Sequence, residues 1–481
     1  MTRQVFDDAA AVSVHGVITA AHPIAADIGA AQLRDGATIF DAVVAAALAE
    51  TVLLPPKCGL AGDVVALVFR AGRSDPEALI SVGAAPRRLP AACMETSLPP
   101  VGGLSVGLPG APAGYRAVAA LGNRPLTELA APAIALARGG FEWSAVCAYL
   151  TEQSTTVLRE QNPNGVQYLP DGMPWAAGTR VTMAGLATVL EAFVGSDTGP
   201  FDGEIGDAVF EAVRDRGGVI DRDELTQVQA QWSSPARLQS VSGTTLWATP
   251  MPTHGPSLLE AVANLPCGSS PAVLMKSVEE SVLRRSREAG DMPTGGGTSV
   301  VTAADHAGNA VVLLHSNSFQ RYGSGIIVEP YGLVVSNRVG RGYSATPGHP
   351  NFPALGRRPV TTLHAWAASM PGFVIAGATP GGENQMRWNS QTLASILHGE
   401  YDPATLCSEP RWGRFRGRLT VEQNYTSGRI ADLETACGSE GLDLVPALSL
   451  RSAQQVIRFS TNGQPLKAGA DPRTGAAARG I

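Results

Sequence analysis

The pattern of hydrophobic and polar positions divides the chain into a helix-rich first half and a strand-rich second half. Before residue 297 it predicts several helices. One of them, 39–51, is apolar nearly all round and is therefore expected to be buried between layers. The order does not alternate strand with helix, so it favours layered sheets with outer helices, built by both halves together. After residue 297, short apolar runs bounded by turns predict strands at 299–304, 310–316, 325–328, 332–336 and 373–377.

The last segment, 461–481, shows no clear period and is rich in Gly, Ala and polar residues. Such a composition is typical of chain termini that bury little apolar surface. The sequence therefore predicts a mobile tail from residue 461 onward.

Composition indicates an enzyme-sized, well-packed protein of low charge. The 481 residues are 44% hydrophobic and 16% charged, and the formal net charge is −6. No basic stretch of the kind that binds nucleic acid is present, and no apolar run is long enough to cross a membrane. The N-terminus has no apolar signal-like segment, so a cytoplasmic location is expected.

Cysteine and histidine spacing indicates neither disulfides nor a metal site. The eight histidines show no paired ligand spacing. No glycine-rich phosphate loop and no G-x-S-x-G elbow is present, so no nucleotide cofactor is indicated. We expect no cofactor and no metal. The six cysteines form no C-x-x-C pair and are expected to be buried thiols: Cys58, Cys93, Cys147, Cys267, Cys407 and Cys437.

The stretch that could carry chemistry is Thr294-Gly-Gly-Gly-Thr298, directly before the predicted strand 299–304. A glycine before a threonine allows the strained geometry in which the hydroxyl attacks the preceding carbonyl. An α-amino group freed in this way titrates at about 7.7–8.0 and can act as a base near neutral pH. Taken alone, however, the pattern favours an ordinary glycine-rich loop before a strand.

Seven further stretches, in order, resemble the γ-glutamyltransferase family of N-terminal nucleophile hydrolases over about residues 12–411. They are His22-Pro-Ile-Ala, Gly36-Ala-Thr-Ile-Phe-Asp41-Ala-Val-Val-Ala, Gly59-Leu-Ala-Gly62-Asp63, Val106-Gly-Leu-Pro-Gly110, Gly356-Arg-Arg-Pro-Val-Thr361-Thr362, Thr379-Pro-Gly381-Gly382 and Glu409-Pro-Arg411. The resemblance implies an α+β fold. More closely, it implies a four-layer αββα sandwich, formed as one large domain by two autoprocessed segments.

The resemblance places Thr298 on the family's catalytic threonine, because Asp305-x-x-Gly308-Asn309-Ala310-Val311 aligns with the family's DxxGNAV without a gap. It implies self-cleavage between Gly297 and Thr298. One precursor would then give a large subunit, 1–297, and a small subunit, 298–481.

The same alignment implies roles for other residues. Ser316 falls on a second hydroxyl near the nucleophile's amine, although a strand-end serine satisfied by backbone groups is an equal alternative. Gly381 and Gly382 become the backbone donors of an oxyanion hole, with a plain turn as the alternative. Thr361 and Thr362 replace two serines whose hydroxyls line the family's site.

The chain departs from the family where the transferases hold a γ-glutamyl group. The arginine of the family's DFRExAP segment is absent from the matching 80–86, and the acidic residue that binds the α-amino group has become Arg341, or Gly340 with another offset. An expected asparagine is Ser318. Arg338 and Arg341 could hold a carboxylate or oxo-acid in a bidentate grip; surface arginines are the alternative.

These features predict an autoprocessing hydrolase that uses Thr298 on a carbonyl of a carboxylated small molecule other than glutathione. Three alternatives stay open. They are a C–C bond hydrolase that removes an oxo-acid fragment in the biosynthesis of a proline-derived antibiotic, a cephalosporin-acylase-like amidase, and an inactive binding homologue. The expected partners are the substrate and the two subunits. A homo-oligomer is compatible with the sequence, and neither nucleic acid nor membrane is expected.

Overall fold

The centre of the protein is a pair of seven-stranded sheets. The computed structural model describes residues 8–266, 268–289, 297–318, 321–382, 384–460 and 462–481. Its strands are β1 (Ala10–Ser13), β2 (Gly16–Ala20), β3 (Asp63–Phe69), β4 (Glu77–Ser81), β5 (Phe141–Glu142), β6 (Arg180–Val181), β7 (Gln231–Ser233), β8 (Ala236–Gln239), β9 (Thr245–Ala248), β10 (Gly297–Asp305), β11 (Ala310–Ser318), β12 (Ile327–Val328), β13 (Leu333–Val334), β14 (Trp366–Met370), β15 (Phe373–Ala378), β16 (Trp412–Phe415), β17 (Arg418–Glu422), β18 (Leu442–Val445), β19 (Gln455–Phe459), β20 (Leu466–Ala470) and β21 (Ala477–Gly480).

Helices cover the outer faces of both sheets. They span Pro23–Arg34, Ile39–Leu53, Leu89–Glu95, Ala111–Ala119, Leu126–Gly139, Ala145–Glu152, Thr155–Gln161, Ala184–Gly195, Glu204–Arg214, Gly255–Ala263, Pro271–Ala289, Arg338–Gly342, Asn384–Leu397, Pro403–Ser408 and Ser427–Cys437.

The strand orders show how the layers are built. One sheet runs β1-β20-β19-β15-β14-β9-β8 and the other β21-β2-β10-β11-β3-β4-β7. The sheets contact each other through β10 with β19, β11 with β15 and β2 with β20. Helix 39–53 packs on β10 and β11, and helices 255–263, 384–397 and 403–408 pack on the other sheet. This is the predicted four-layer αββα arrangement, so the predicted fold class is confirmed.

The apolar helix Ile39–Leu53 lies where the sequence predicts it. All fifteen of its residues are buried. Thr38 caps its N-terminus, accepting from the Asp41 amide at 3.3 Å while the Asp41 carboxylate accepts from the Thr38 amide at 2.9 Å. A helix that is apolar all round can be stable only between other layers, and here it separates a central sheet from outer helices.

The segment from residue 462 onward is ordered in both sheets, so the prediction of a mobile tail is wrong there; Thr461 lies outside the described residues. β20 pairs with β1 and β19, and β21 pairs with β2 from Val17↔Gly480 to Ala20↔Ala477. Small residues are needed for this packing. A Cβ on Gly469 would lie 2.2 Å from the carbonyl oxygen of Pro403.

Two expectations from composition concern cysteines and membrane spans. None of the helices in the described ranges is long and apolar enough to cross a bilayer. Cys267 lies outside the described residues. Free thiols are confirmed at the five described cysteines, all buried: Cys58, Cys93, Cys147, Cys407 and Cys437.

Candidate active site

Thr298 lies at the head of β10, beside an irregularity in the pairing with β11. Gly297 pairs with Ser318 and Thr298 pairs with Ser316, so Asn317 is an extra residue on β11. A bulge of this kind bends the strand and redirects side chains, and bulges are frequent next to active sites. Regular pairing is thus interrupted at the peptide bond between Gly297 and Thr298.

The Ser316 hydroxyl connects three groups around this peptide bond. Its Oγ lies 3.1 Å from Thr298 Oγ1, donates to the Gly297 carbonyl oxygen at 2.5 Å and accepts from the Ser318 amide at 2.9 Å. Thr298 and Ser316 are 2% and 1% exposed, so water competes little with these bonds. A hydroxyl that donates to a carbonyl oxygen polarises that carbonyl for attack by a neighbouring hydroxyl. The structure therefore brings four of the residues singled out from the sequence into contact: Gly297, Thr298, Ser316 and Ser318.

Ser318 shows two features that are uncommon in a plain strand end. Its φ of 76° is in the left-handed region, which non-glycine residues seldom adopt. Its buried Oγ has no hydrogen-bond partner in the described part of the chain. Backbone strain and an unsatisfied hydroxyl are more frequent at functional sites than in ordinary structural positions.

Gly381 and Gly382 form the turn that leads from β15 into helix Asn384–Leu397. Their φ angles are 138° and 60°. A Cβ on Gly381 would lie 2.3 Å from the Trp388 ring, so glycine is required there. Within the described residues neither backbone N–H donates a hydrogen bond. N–H donors at such a turn, beside a helix N-terminus, are well suited to bind a negatively charged oxygen.

Thr298 and Gly381 line one cavity of about 660 Å³. The cavity is positively charged, because its described lining includes four cationic side chains and no carboxylate. A cavity with one sign of charge attracts ligands of the opposite sign. The cationic side chains in its lining are Lys57, Arg321, Arg416 and Arg451.

Two of these cations share one aromatic ring. The guanidinium groups of Arg321 and Arg451 lie 5.5 and 5.0 Å from the centroid of Tyr149. Cation–π contacts at this distance hold both groups in place without neutralising them. The four cations come from separate segments and carry no local motif, so no signal in the sequence identifies them.

Arg338 is placed differently from the sequence-based expectation. Its Nε donates to Asp63 Oδ2 at 2.6 Å, and the two side chains are 2% and 1% exposed. Burial raises the pKa of the Asp63 carboxyl, and the charge and hydrogen bond of Arg338 act in the opposite direction. The carboxylate that Arg338 holds here is therefore one of the protein's own, and its part in substrate binding stays a prediction.

Three other predicted substrate residues lie outside the described lining of this cavity. Arg341 is half-buried in the same short helix as Arg338. Thr361 and Thr362 are buried, and Thr361 Oγ1 accepts from the Leu363 amide at 3.2 Å. Their part in substrate binding stays a prediction.

The opposite face of β11 carries a buried polar network. His315 Nε2 lies 2.8 Å from Glu50 Oε2, and its Nδ1 lies 2.7 Å from the Tyr115 hydroxyl. Glu50 also accepts from the Ala21 amide at 2.6 Å. Together with Cys58, Glu50 and His315 could offer three ligand atoms within 4.8 Å of one another. The imidazole and the carboxylate are already hydrogen-bonded to each other and to Tyr115 and Ala21. The network therefore stabilises β11 on the face opposite Ser316.

Comparison with known proteins assigns the chain to a family. The gamma-glutamyltranspeptidase family model matches residues 25–270 and 269–481. The chain belongs to the gamma-glutamyltranspeptidase family. The resemblance inferred from the sequence is thereby confirmed, and the protein is a hydrolase of this family.

Members of the family resemble the chain over its whole length. The oxamate amidohydrolase proenzyme of Klebsiella pneumoniae is 26% identical over 98% of this chain and 99% of its own. The glutathione hydrolase-like YwrD proenzyme of Bacillus subtilis is 24% identical over 97% and 98%. The crystal structure of cephalosporin acylase from Bacillus halodurans superposes with a TM-score of 0.84 at 23% identity, covering 98% and 97% of the two chains, which supports the same fold.

Proposed function

We propose that the protein is an autoprocessing hydrolase in which Thr298 is first the site of self-cleavage and then the nucleophile. The observation that carries the proposal is the Ser316 hydroxyl, which contacts both Thr298 Oγ1 and the Gly297 carbonyl oxygen. Thr298 also lines the cationic cavity, together with Gly381. The relatives named proenzymes support processing of a precursor.

Self-cleavage begins when Thr298 Oγ1 attacks the Gly297 carbonyl carbon and its proton is lost to the amide nitrogen. The Ser316 hydroxyl donates to the carbonyl oxygen as negative charge develops on it. The C–N bond then breaks and an ester joins Gly297 to the threonine side chain. Water hydrolyses this ester, releasing the Gly297 carboxylate and a free Thr298 with its α-amino group.

The mature enzyme repeats the chemistry on a substrate. The freed amine accepts the proton of the Thr298 hydroxyl as the oxygen attacks the substrate carbonyl. The N–H groups of Gly381 and Gly382 stabilise the resulting oxyanion. The leaving group departs with the proton, and water hydrolyses the acyl-threonine to regenerate the enzyme.

The substrate that fits this cavity is a carboxylated amide. Four cations with no described carboxylate among them favour an anion and disfavour the free ammonium of a γ-glutamyl group. The full-length relative named oxamate amidohydrolase supports hydrolysis of an amide. No described contact favours C–C bond cleavage over amide hydrolysis.

The proposal is tested by gel electrophoresis and N-terminal sequencing of the purified protein. We expect two fragments, the smaller beginning Thr298-Ser-Val-Val, and release of amine from a carboxylated amide. A chain that remains whole, and that hydrolyses no such amide, would contradict the proposal.

Ser316→Ala is expected to slow self-cleavage by about 10²–10³-fold, because it removes the donor to the Gly297 carbonyl oxygen. Ser316→Thr keeps the hydroxyl and should cleave. The matched control is Ser299→Ala on the neighbouring strand, whose buried hydroxyl has no partner among the described residues. Cleavage is followed by the fraction of intact precursor over time. Equal rates for the alanine variants at 316 and 299 would exclude the role of Ser316.

Gly381→Ala is expected to lower kcat on the order of 10²-fold while self-cleavage continues. The added Cβ would collide with the Trp388 ring at 2.3 Å, and a φ of 138° is unfavourable for alanine, so the N–H is displaced. Self-cleavage uses a different donor, Ser316, for its carbonyl oxygen. Steady-state kinetics of the processed variant measure the effect. An unchanged kcat would show that this turn stabilises no oxyanion.

A further inference from the structure

Lys57 is fixed next to the bulge on β11 that lies opposite the cleavage site. Three consecutive carbonyl oxygens, those of Pro55, Pro56 and Lys57, accept hydrogen bonds from the segment after Ser316. The donors are Asn317 Nδ2 at 3.1 Å, the Tyr322 amide at 2.9 Å and the Asn317 amide at 2.8 Å. The Lys57 carbonyl is therefore bonded to Asn317, the extra residue of the bulge. Asn317 lies between Ser316 and Ser318, the strand partners of Thr298 and Gly297.

The Lys57 side chain is buried in the cavity and forms no ion pair with any described carboxylate. It is 7% exposed and lines the same cavity as Thr298. Within the described residues no ion pair or hydrogen bond involves its ammonium group. Glu50 is already bonded to His315 and to the Ala21 amide. A buried charge without a partner is unfavourable, so this position is expected to be occupied by an anion during function.

Arg321 adds a second cation at the same place. The bond from the Tyr322 amide to Pro56 brings the two segments together. Tyr322 is fully buried and has a φ of 62°. Its hydroxyl lies 2.7 Å from the Thr151 hydroxyl, and these contacts hold the residue in place. Two neighbouring cations repel each other, and a carboxylate between them would remove the repulsion and accept from both.

We propose that Lys57 and Arg321 bind the substrate's carboxylate, and that this carboxylate is separated from the carbonyl attacked by Thr298 by at most one carbon. This inference rests on the proposed function and specifies its substrate class. Paired strands lie about 5 Å apart, so the two steps from the Lys57 backbone through Asn317 to β10 span about 10 Å. The Lys57 side chain lines the same cavity as Thr298, so it can bring its ammonium group toward the nucleophile across that span. The substrates would be monoamides of short dicarboxylic acids, in contrast to γ-glutamyl amides, whose carboxylate is more distant.

The binding of such an anion should weaken as pH rises. Burial lowers the pKa of the Lys57 ammonium, and the charge of Arg321 adds to this effect. A carboxylate stabilises the charged form, so the protein takes up a proton on binding, and affinity falls as pH rises through the lowered pKa of Lys57. The other titratable groups facing Lys57 are Glu50, Cys58 and Cys147, which act in the opposite direction, and His22, whose pKa burial lowers to about 4.

The first test is a chain-length series on the processed enzyme. Ammonia release is measured with oxamate, malonamate, succinamate and glutaramate, and binding of the corresponding free diacids is measured by calorimetry. We expect kcat/KM and affinity to be highest for one of the two shortest members and to fall about tenfold or more by glutaramate. A preference for the longest member, in hydrolysis or in binding, overturns the inference while leaving the proposed hydrolase in place.

The second test separates Lys57 from general stability. Lys57→Met should raise KM and the Kd of the short diacid by about tenfold or more, with kcat less affected and self-cleavage unchanged. Lys57→Arg should recover affinity and bind with little dependence on pH, because its guanidinium is always charged. Arg34→Met, which removes an exposed cation, is the control. Unchanged diacid binding in a normally processed Lys57→Met protein overturns the inference, whereas a wild-type chain that never cleaves contradicts the proposed function instead.

Discussion

Thr298→Ala is expected to yield a single uncleaved chain of 481 residues and to reduce turnover by about 10⁴-fold or more. The substitution removes the hydroxyl that lies 3.1 Å from Ser316 Oγ, and with it the nucleophile of both reactions. It also keeps residue 298 in a peptide bond, so no α-amino group is available as base. Both losses act on the same chemistry, which makes this the largest effect that we expect. Gel electrophoresis and ammonia release measure it.

Two variants show whether the loss is chemical. Thr298→Ser keeps a hydroxyl and should still cleave, with reduced activity. Ser299→Ala lies one residue along β10 and should cleave and turn over normally. Circular dichroism and thermal unfolding of Thr298→Ala should match those of a correctly folded precursor. If Thr298→Ala were processed normally, another residue would have to be the nucleophile.

Much of the framework can be predicted from the sequence because its signals are local. The helix Ile39–Leu53 is apolar all round and has a capping threonine, and both features act within one segment. The strand that follows Thr298 is bounded by glycines and a turn. It forms as β10 and pairs with β11 across that turn. The order of matching stretches was sufficient to identify the family and, through it, the four layers.

The rest depends on contacts between distant segments. The segment 462–481 resembles a polar tail, yet it is ordered because β20 and β21 fill positions in the sheets beside strands from the start of the chain. Lys57 and Arg321 line one cavity because their segments are joined by hydrogen bonds such as that from the Tyr322 amide to the Pro56 carbonyl. No single window of the sequence contains such information, since the stabilising partner is hundreds of residues away.

The charged partner of Arg338 is likewise distant in the sequence and could not be predicted from it. From the sequence, Arg338 is a candidate, together with Arg341, to hold a substrate carboxylate. The structure instead pairs it with Asp63, the residue opposite Ser316 on the neighbouring strand. The pair lies in the row that contains Thr298, so Arg338 supports that row through its bond to Asp63.

Arg338→Met is expected to destabilise the protein by about 3–5 kcal/mol near neutral pH, because it leaves the buried Asp63 carboxylate without its partner. The measurement is urea unfolding on the Thr298→Ala background, where the chain stays continuous. Burial already raises the pKa of Asp63, and removing Arg338 raises it further. The folded state then binds more protons than the unfolded state, so stability falls as pH rises and the defect should be smaller at acid pH.

Asp63→Asn tests this explanation in combination with Arg338→Met. The double variant has no buried charge at this position and should regain much of the lost stability and lose the added pH dependence. Arg418→Met is the matched control, because its pair with Asp443 at 2.8 Å is exposed and should contribute little. If Arg338→Met behaved like Arg418→Met, the Asp63 carboxylate would not depend on Arg338. The row of Asp63, Ser316 and Thr298 would then be held by backbone pairing alone.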